Sequence, residues 1–304
     1  MAGPDRRRRQ RGIVCALVLF FCLAAVGARA AIRVTDDRGS SVELESPAKR
    51  IVGLAPNITE LLFAAGAGER VVGASEFSDY PPAARAIPRI GSSSHLDLER
   101  IVQLEPDLVV VWGNGTPAVQ LEALRRLGIP LFYSEPHRLE DLPRTMLRLG
   151  TLAGSEPHAR EAAAAFSARL SDLRSRYADR APVRLFWQVW AQPLLTINGR
   201  HIINDVIRLC GGVNIFADLP VLVPSVSIEA VIAADPEAIV TTDAAADGGD
   251  GFDRWRKLRW LSATKHGNFI VLDADTIDRA SPRVIDGAAA LCERLESVRS
   301  SRNP

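Results

Sequence analysis

Apolar residues recur between Ser155 and Arg180 with the spacing of a single helical face. Steps of four and three residues, repeated in alternation, are the period of an amphipathic α-helix. The positions are Ala159, Ala163, Phe166, Leu170, Leu173 and Tyr177. Ser155 has the residue type of an N-cap, and Pro182 follows the end of the pattern. A helix of this length spans roughly 36 Å. We interpret it as a spine between two lobes; the alternative is a surface helix of one large domain.

Short apolar stretches alternate with helical patterns on both sides of this spine. Strands are predicted at 50–54, 71–74, 108–112, 130–133, 183–190, 238–242 and 269–272. Helices are predicted at 59–65, 98–104, 120–127, 139–152, 202–209, 228–234, 255–261 and 284–298. Residues 31–49 alternate weakly around a turn and predict a small β-hairpin. Strands that alternate with helices indicate an α/β fold with parallel sheets covered on both faces.

One pattern occurs twice along the chain, 130 residues apart. Glu99 begins a helix that runs to Glu105-Pro106-Asp107 and then to a strand, and Glu229 begins one that runs to Asp235-Pro236-Glu237. The shared order of helix, acid–proline–acid and strand favours two related α/β lobes with a ligand cleft between them. The predicted domains are an N-terminal lobe, linking helices with the spine, and a C-terminal lobe, at 31–138, 139–180 and 181–304.

Residues 1–30 have the pattern of a cleaved export signal. Arginines at 6–9 and 11 precede an apolar run at 13–26, and Ala28-Arg29-Ala30 is an A-x-A cleavage site. The alternative is a membrane anchor, but the apolar run is short for a spanning helix. We therefore expect an exported protein.

Composition and charge narrow the class of partner. The chain has 304 residues, of which 47% are hydrophobic and 24% charged, as in globular proteins. Without the six arginines and one aspartate of residues 1–30, 31 basic and 35 acidic residues remain, a net charge of −4. This charge disfavours nucleic acid and anionic membranes as partners. Cys210 and Cys292 also remain, and an even pair in an exported protein suggests a disulfide rather than two buried free thiols.

Ligands of open α/β sheets bind beyond the carboxyl ends of the strands, so the loops there hold the candidate site. Aromatic faces offer contact area for a flat ligand, although each aromatic residue could instead pack in a core. Arg279 could donate to a carboxylate or an amide oxygen. The candidates are Tyr80, residues 92–95 with Ser93, Trp112, Trp190, Leu195, Val223, Asp275 and Arg279.

Motifs typical of enzymes are scarce in the chain. There is no G-x-S-x-G, no Walker loop, and no G-x-G-x-x-G opening a helix. The five histidines form no H-x-x-x-H pair, so a zinc site would need distant residues to converge. The sequence favours a binding protein. An exported enzyme using the cleft and a ligand-dependent sensor partner stay open as alternatives.

Four segments spread over residues 50–296 carry a resemblance to a known family. They are 78–82 (SDYPP), 98–109 (LERIVQLEPDLV), 210–216 (CGGVNIF) and 279–283 (RASPR). The chain resembles the periplasmic substrate-binding proteins of the helical-backbone class, which serve ABC importers for cobalamin, haem and iron–siderophores. It is most similar to the cobalamin binders. The resemblance implies two α/β lobes bridged by one long helix, and a periplasmic location.

The resemblance also implies a ligand and its contacts. Tyr80 and Trp112 match aromatic contacts to cobalamin, and Arg279 and Asp275 match further contact positions. Aromatic residues of the cobalamin binders are replaced at three positions, Ser93, Leu195 and Val223. A corrinoid is the expected ligand. Haem, with Tyr80 as an iron ligand, or a siderophore complex is the alternative, and no separate cofactor is expected.

Two glutamates match the positions at which this family docks on its transporter. Glu99 and Glu229 occupy equivalent places in the two repeats, each at the start of a helix. One acidic group on each lobe would pair with arginines on the two halves of a permease. The alternative is a favourable interaction with the helix N-terminus. We expect a monomeric carrier whose partners are a metal chelate and the permease subunits.

Overall fold

The computed structural model describes residues 31–92, 95–113, 115–177, 179–245 and 251–302, and the predicted export signal lies outside them. Strands β1 to β14 are Ile32–Thr35, Ser41–Leu44, Ile51–Gly53, Val71–Ala74, Gly91–Ser92, His95–Leu96, Leu108–Trp112, Leu131–Ser134, Val183–Trp187, Trp190–Ala191, Leu194–Leu195, Gly212–Asn214, Ala238–Thr242 and Phe269–Leu272. Helices α1 to α11 are Pro56–Ala64, Leu98–Gln103, Ala118–Arg126, Asp141–Ala153, Glu156–Tyr177, Ile202–Leu209, Ile228–Ala234, Asp253–Arg256, Ser262–Lys265, Ala274–Ile277 and Val284–Ser300.

Each lobe contains a four-stranded sheet in which every neighbouring pair is parallel. The order is β4-β3-β7-β8 in the N-terminal lobe and β12-β9-β13-β14 in the C-terminal lobe. When the four strands of each sheet are numbered along the chain, both sheets have the order second, first, third and fourth. The predicted α/β fold with two related lobes is therefore confirmed, and β1 and β2 form the predicted antiparallel hairpin.

The acid–proline–acid motif has the same structural role in both lobes. The carboxylate of Asp107 accepts the backbone N–H of Arg50 at 3.1 Å, and that of Glu237 accepts the backbone N–H of Arg184 at 2.9 Å. The residue just before each proline has a φ of 42°: Glu105, shortly after the end of α2, and Asp235, at the end of α7. Each motif thus joins the end of a helix to the start of the first strand of its sheet.

The spine is helix α5, and its predicted apolar face is confirmed. All six periodic residues, from Ala159 to Tyr177, are buried. The 22 residues of the helix correspond to a length of ~33 Å. Ser155 precedes the first helical residue as predicted, but its hydroxyl donates to the carbonyl of Ala65 at 2.6 Å. This bond ties the start of the spine to the end of α1.

The spine packs closely on α4 and extends the core from one lobe into the other. Gly150 faces Ala159, and a Cβ at that position would overlap the alanine methyl group. Gly154, with a φ of 65°, supplies the left-handed turn that reverses the chain between the two helices. One cluster of buried apolar residues runs from the N-terminal lobe through α4 and α5 into the C-terminal lobe. The lobes therefore share a core along the spine.

The predicted disulfide is confirmed. Cys210, which ends α6, is bonded to Cys292 within the closing helix α11, and both residues are buried. The bond closes a sequence separation of 82 residues within the C-terminal lobe.

Several predicted boundaries differ from the structure. Strand β9 ends at Trp187, three residues before the predicted end. Helix α1 begins at Pro56 rather than residue 59, because proline fits the first helical turn, where its missing N–H costs nothing. Strand β12, which begins at Gly212 immediately after α6 and Gly211, was not predicted. In the described part of the chain, no helix is both long and apolar enough to span a membrane.

Candidate functional site

A cavity of about 450 Å³ lies between the lobes at the carboxyl ends of the strands. Trp112 ends β7, Trp187 ends β9 and Thr242 ends β13, and all three line it. Parallel strands place these residues at one edge of each sheet, as the sequence predicted. Apolar side chains supply much of the remaining wall, among them Pro56, Ile202, Ile203, Leu222 and Val223.

The indole in the C-terminal wall of the cavity is that of Trp187, which sequence reasoning did not select. It named Trp190, because the predicted strand ran to residue 190. Trp190 lies instead in the short β10–β11 hairpin opposite Leu195, is 42% exposed, and is not among the residues lining the cavity. The strand end, not the aromatic residue type, decides which tryptophan lies at the cavity, where Trp187 is 1% exposed.

Tyr80 lies outside the residues that line the cavity and is 43% exposed. The guanidinium of Arg283, from the other lobe, lies 4.0 Å from the centroid of its ring. This cation–π contact holds the ring between the two lobes. Ser93, also predicted as a ligand contact, lies outside the described residues.

Arg279 lines the cavity and is held by carboxylates of both lobes. It contacts Glu60 at 3.0 Å, Asp79 at 3.2 Å and Asp275 at 2.7 Å. Burial acts to lower the pKa of Arg279, but the hydrogen bonds to Glu60 and Asp79 and the charge of Asp275 raise it overall. The side chain is thus a fixed cation at the cavity wall. Asp275, predicted as a ligand contact, is a partner of this arginine and is not among the lining residues.

Glu60 is the functional residue that sequence reasoning missed. Its side chain is 2% exposed and accepts four hydrogen bonds from the C-terminal lobe. Arg279 donates at 3.0 Å, Ser281 at 2.6 Å, and Arg283 through Nε at 2.9 Å and Nη2 at 2.7 Å. A carboxylate on α1 therefore binds the two lobes together and orients Arg279. The local signal was weak: Glu60 directly precedes the apolar residues Leu61 and Leu62, and a carboxylate buried beside them would require a partner.

His201 contributes a neutral hydrogen-bond donor to the cavity. Its Nδ1 accepts the backbone N–H of Ile203 at 3.2 Å and caps α6, so the neutral ring carries its proton on Nε2. Burial, and secondarily the charge of His137, lowers the pKa of His201 to about 4. Near neutral pH the ring is uncharged and its Nε2–H is available to an acceptor on a ligand.

Asp278 is the second titratable group of the cavity wall with a shifted pKa. Withdrawal of the carboxylate from water, and then the charges of Asp243 and Asp273, raise its pKa to about 6. A hydrogen bond donated by Thr242 at 2.9 Å acts in the opposite direction. Because the residue keeps exposed surface, solvent moderates the effect of this shift on stability.

The two predicted docking glutamates are exposed at equivalent helix starts. Glu99 lies in the first turn of α2 and Glu229 in the first turn of α7, on the side of each sheet that faces the cleft. The side chains of Asp97 and Ser227 cap these helices by accepting backbone N–H groups. Hydrogen bonds from its own N–H and from Ser227 lower the pKa of Glu229. Since other residues act as caps, the side chains of both glutamates are accessible.

Within the described residues, no group of three or more histidine, cysteine, aspartate or glutamate side chains could hold a metal ion. Two parallel α/β lobes, one bridging helix and an apolar cavity at the strand ends define a two-lobed binding protein for small molecules. The chain belongs to the periplasmic binding protein family, whose model matches residues 51–276.

Individual relatives agree with this assignment. The vitamin B12-binding protein of Vibrio cholerae is 37% identical over 250 residues, which cover 82% of this chain and 90% of the relative. The crystal structure of vitamin B12-binding BtuF from V. cholerae superposes with a TM-score of 0.77, at 37% identity, over 83% of this chain and 98% of that one. The haem-binding protein RhuT from Roseiflexus sp. RS-1 superposes with a TM-score of 0.70, at 27% identity, over 83% and 99%.

Proposed function

We propose that this protein captures a corrinoid in the interlobe cavity and delivers it to the permease of an ABC importer. The observation that carries the proposal is the composition of the cavity wall. The wall contains one tryptophan from a strand end of each lobe, Trp112 and Trp187, and the positively charged Arg279. The relatives named as vitamin B12-binding proteins support it. The export pattern of residues 1–30 and the family support a periplasmic location.

The chemistry of a corrinoid suits this wall. A corrin is a flat macrocycle whose rim carries amide side chains. The indole of Trp112 and the aliphatic side chains of the wall offer contact area to the macrocycle. The guanidinium of Arg279 and the Nε2–H of His201 are donors for rim carbonyl oxygens.

Calorimetric titration with cyanocobalamin tests the proposal. We expect one corrinoid per protein, and loss of roughly 1–3 kcal/mol of binding free energy in Trp112→Ala if the indole is a buried anchor. Arg279→Ala should also weaken binding. Tyr80→Ala should have a smaller effect, because the ring is half exposed. Trp260→Ala is the matched control, since Trp260 is exposed and does not line the cavity. Absence of any heat or spectral change with cyanocobalamin would overturn the proposal.

Haem is the second candidate, because RhuT shares the fold at 27% identity. In that case the phenolate of Tyr80 would be an iron ligand. Titration with haemin distinguishes the two, since ligation of iron by tyrosine changes the haem absorption spectrum and Tyr80→Phe would abolish the change. Binding of haemin without binding of cyanocobalamin would establish this alternative.

The transporter supplies the other half of the proposed role. The relatives reported above are named as binding proteins, which supports a carrier rather than an enzyme. The exposed Glu99 and Glu229, one on each lobe, provide the acidic pair through which a two-lobed carrier would orient itself on a permease with two halves.

A further inference from the structure

A second cavity of about 590 Å³ lies beside the ligand cavity. The contacts proposed above for the corrin macrocycle do not use it. Glu135, His137 and Leu222 line both cavities, so the two spaces are contiguous. The second cavity also lies between the lobes, because its wall comes from the segment after β8 and from the start and outer face of α6. A ligand in the first cavity can extend into the second without leaving the cleft.

Three arginines surround the second cavity, and two of them have no carboxylate partner. The guanidinium of Arg208 forms no ion pair or hydrogen bond with any other residue in the described part of the chain. The guanidinium of Arg200 donates to the carbonyl of Pro220 at 2.6 Å. Arg138 lies 3.6 Å from Glu140, on the outer side. Like charges around one space repel each other unless an anion enters it.

The acidic residues of the same wall are already engaged elsewhere. Glu135 accepts a hydrogen bond from Nε of Arg38 at 2.6 Å, and the Glu135 side chain is largely buried. Asp205 accepts the backbone N–H of Leu139 at 3.0 Å, which ties the C-terminal lobe to the start of the linking segment. With Glu135 paired to Arg38 and Arg138 to Glu140, the wall keeps two arginines without a carboxylate partner, Arg200 and Arg208, against the one carboxylate of Asp205, and is therefore net positive. Arginine is the side chain best suited to hold a phosphate or carboxylate through paired N–H donors.

We infer that the second cavity binds the phosphodiester of the corrinoid nucleotide loop, with Arg208 and Arg200 as its partners. The inference rests on the proposed corrinoid function and makes it more specific. A complete corrinoid carries one negatively charged phosphodiester on an arm attached to its macrocycle, which matches an apolar cavity beside a cationic one. The carrier would then prefer complete corrinoids over those that lack the nucleotide loop.

Two probes separate the macrocycle from the anionic arm. Cyanocobalamin has both, whereas dicyanocobinamide has the macrocycle without the nucleotide loop. Arg208→Gln should lower affinity for cyanocobalamin by about tenfold, since hydrogen bonds to charged groups contribute ~1.5 kcal/mol or more. Its affinity for dicyanocobinamide should stay within about twofold of the original protein. Arg160→Gln is the control, because Arg160 is also an exposed helical arginine but lies on the spine outside both cavities.

Salt gives an independent readout. Affinity for cyanocobalamin should fall as the salt concentration rises. This dependence should be weaker in Arg208→Gln and weaker still in the double variant that also carries Arg200→Gln. Equal affinity changes for both corrinoids, or none for either, would overturn the inference while leaving corrinoid binding intact. If neither corrinoid binds the original protein, the proposed function fails with it. If haemin alone binds and Arg208→Gln weakens it, the anions are haem carboxylates, and the phosphodiester is refuted.

Discussion

Replacement of Glu60 by glutamine is the sharpest test of how the lobes are held. The variant keeps the shape of the side chain but removes a buried charge that accepts four hydrogen bonds from Arg279, Ser281 and Arg283. Removing one partner from a buried ion pair costs about 3–5 kcal/mol. Arg279 retains two other carboxylates and Arg283 retains the ring of Tyr80, so we expect the lower end, ~3 kcal/mol. For a chain of this size that is a drop in Tm of about 6–12 °C.

Differential scanning calorimetry measures this loss, and Glu122→Gln is the matched control. Glu122 pairs with Arg125 and Arg126 on the surface of α3 and its side chain is 50% exposed. Exposed pairs contribute about 0–1 kcal/mol, so the control should melt within about 4 °C of the original protein. Equal Tm values for the Glu60 and Glu122 variants would refute the claim that this carboxylate holds the lobes. A wider distribution of interatomic distances in X-ray scattering of Glu60→Gln should accompany the lower Tm.

Three further predictions concern the disulfide, pH and docking. Serine at both Cys210 and Cys292 should lower the free energy of unfolding by roughly 4–5 kcal/mol, because the unfolded chain is no longer cross-linked across 82 residues and gains conformational entropy. An unchanged urea midpoint would contradict this. His201 has a folded-state pKa of about 4 against 6.5, so stability should fall as pH falls through that window. His201→Asn, which can still cap α6, should flatten the dependence in urea titrations; an undiminished slope would assign it to other groups. Alanine at both Glu99 and Glu229 should preserve corrinoid affinity, reduce capture by the reconstituted transporter and weaken its salt dependence; capture like that of the original protein at two salt concentrations would exclude docking through these residues.

Periodic burial made the spine and the central strands predictable from sequence. The six apolar positions from Ala159 to Tyr177 repeat with the helical period because each must face the shared core. Strands such as Leu108–Trp112 and Ala238–Thr242 were predicted with correct bounds, since they are buried on both faces and flanked by strong turn signals. Local pattern and tertiary burial agree at these elements.

The site was less predictable because its contacts join residues far apart in sequence. Glu60 resembles a solvent-facing helical residue until Arg279 and Arg283, more than 200 positions later, are brought against it. Trp187 and Trp190 stand in one apolar run, and only the hairpin that begins at residue 190 separates the cleft residue from the exposed one. Neither the partner nor the strand end is encoded within the local window.

The shared core along the spine has a consequence for competition between empty and loaded carriers at the transporter. A helix packed into both lobes, with Glu60 joined across the cleft, should keep their separation nearly constant whether or not a ligand is present. Empty and loaded carriers would then offer the permease almost the same face. Vacant carriers would compete for the transporter, so uptake should pass through a maximum and decline as carrier is added in excess over a fixed supply of corrinoid.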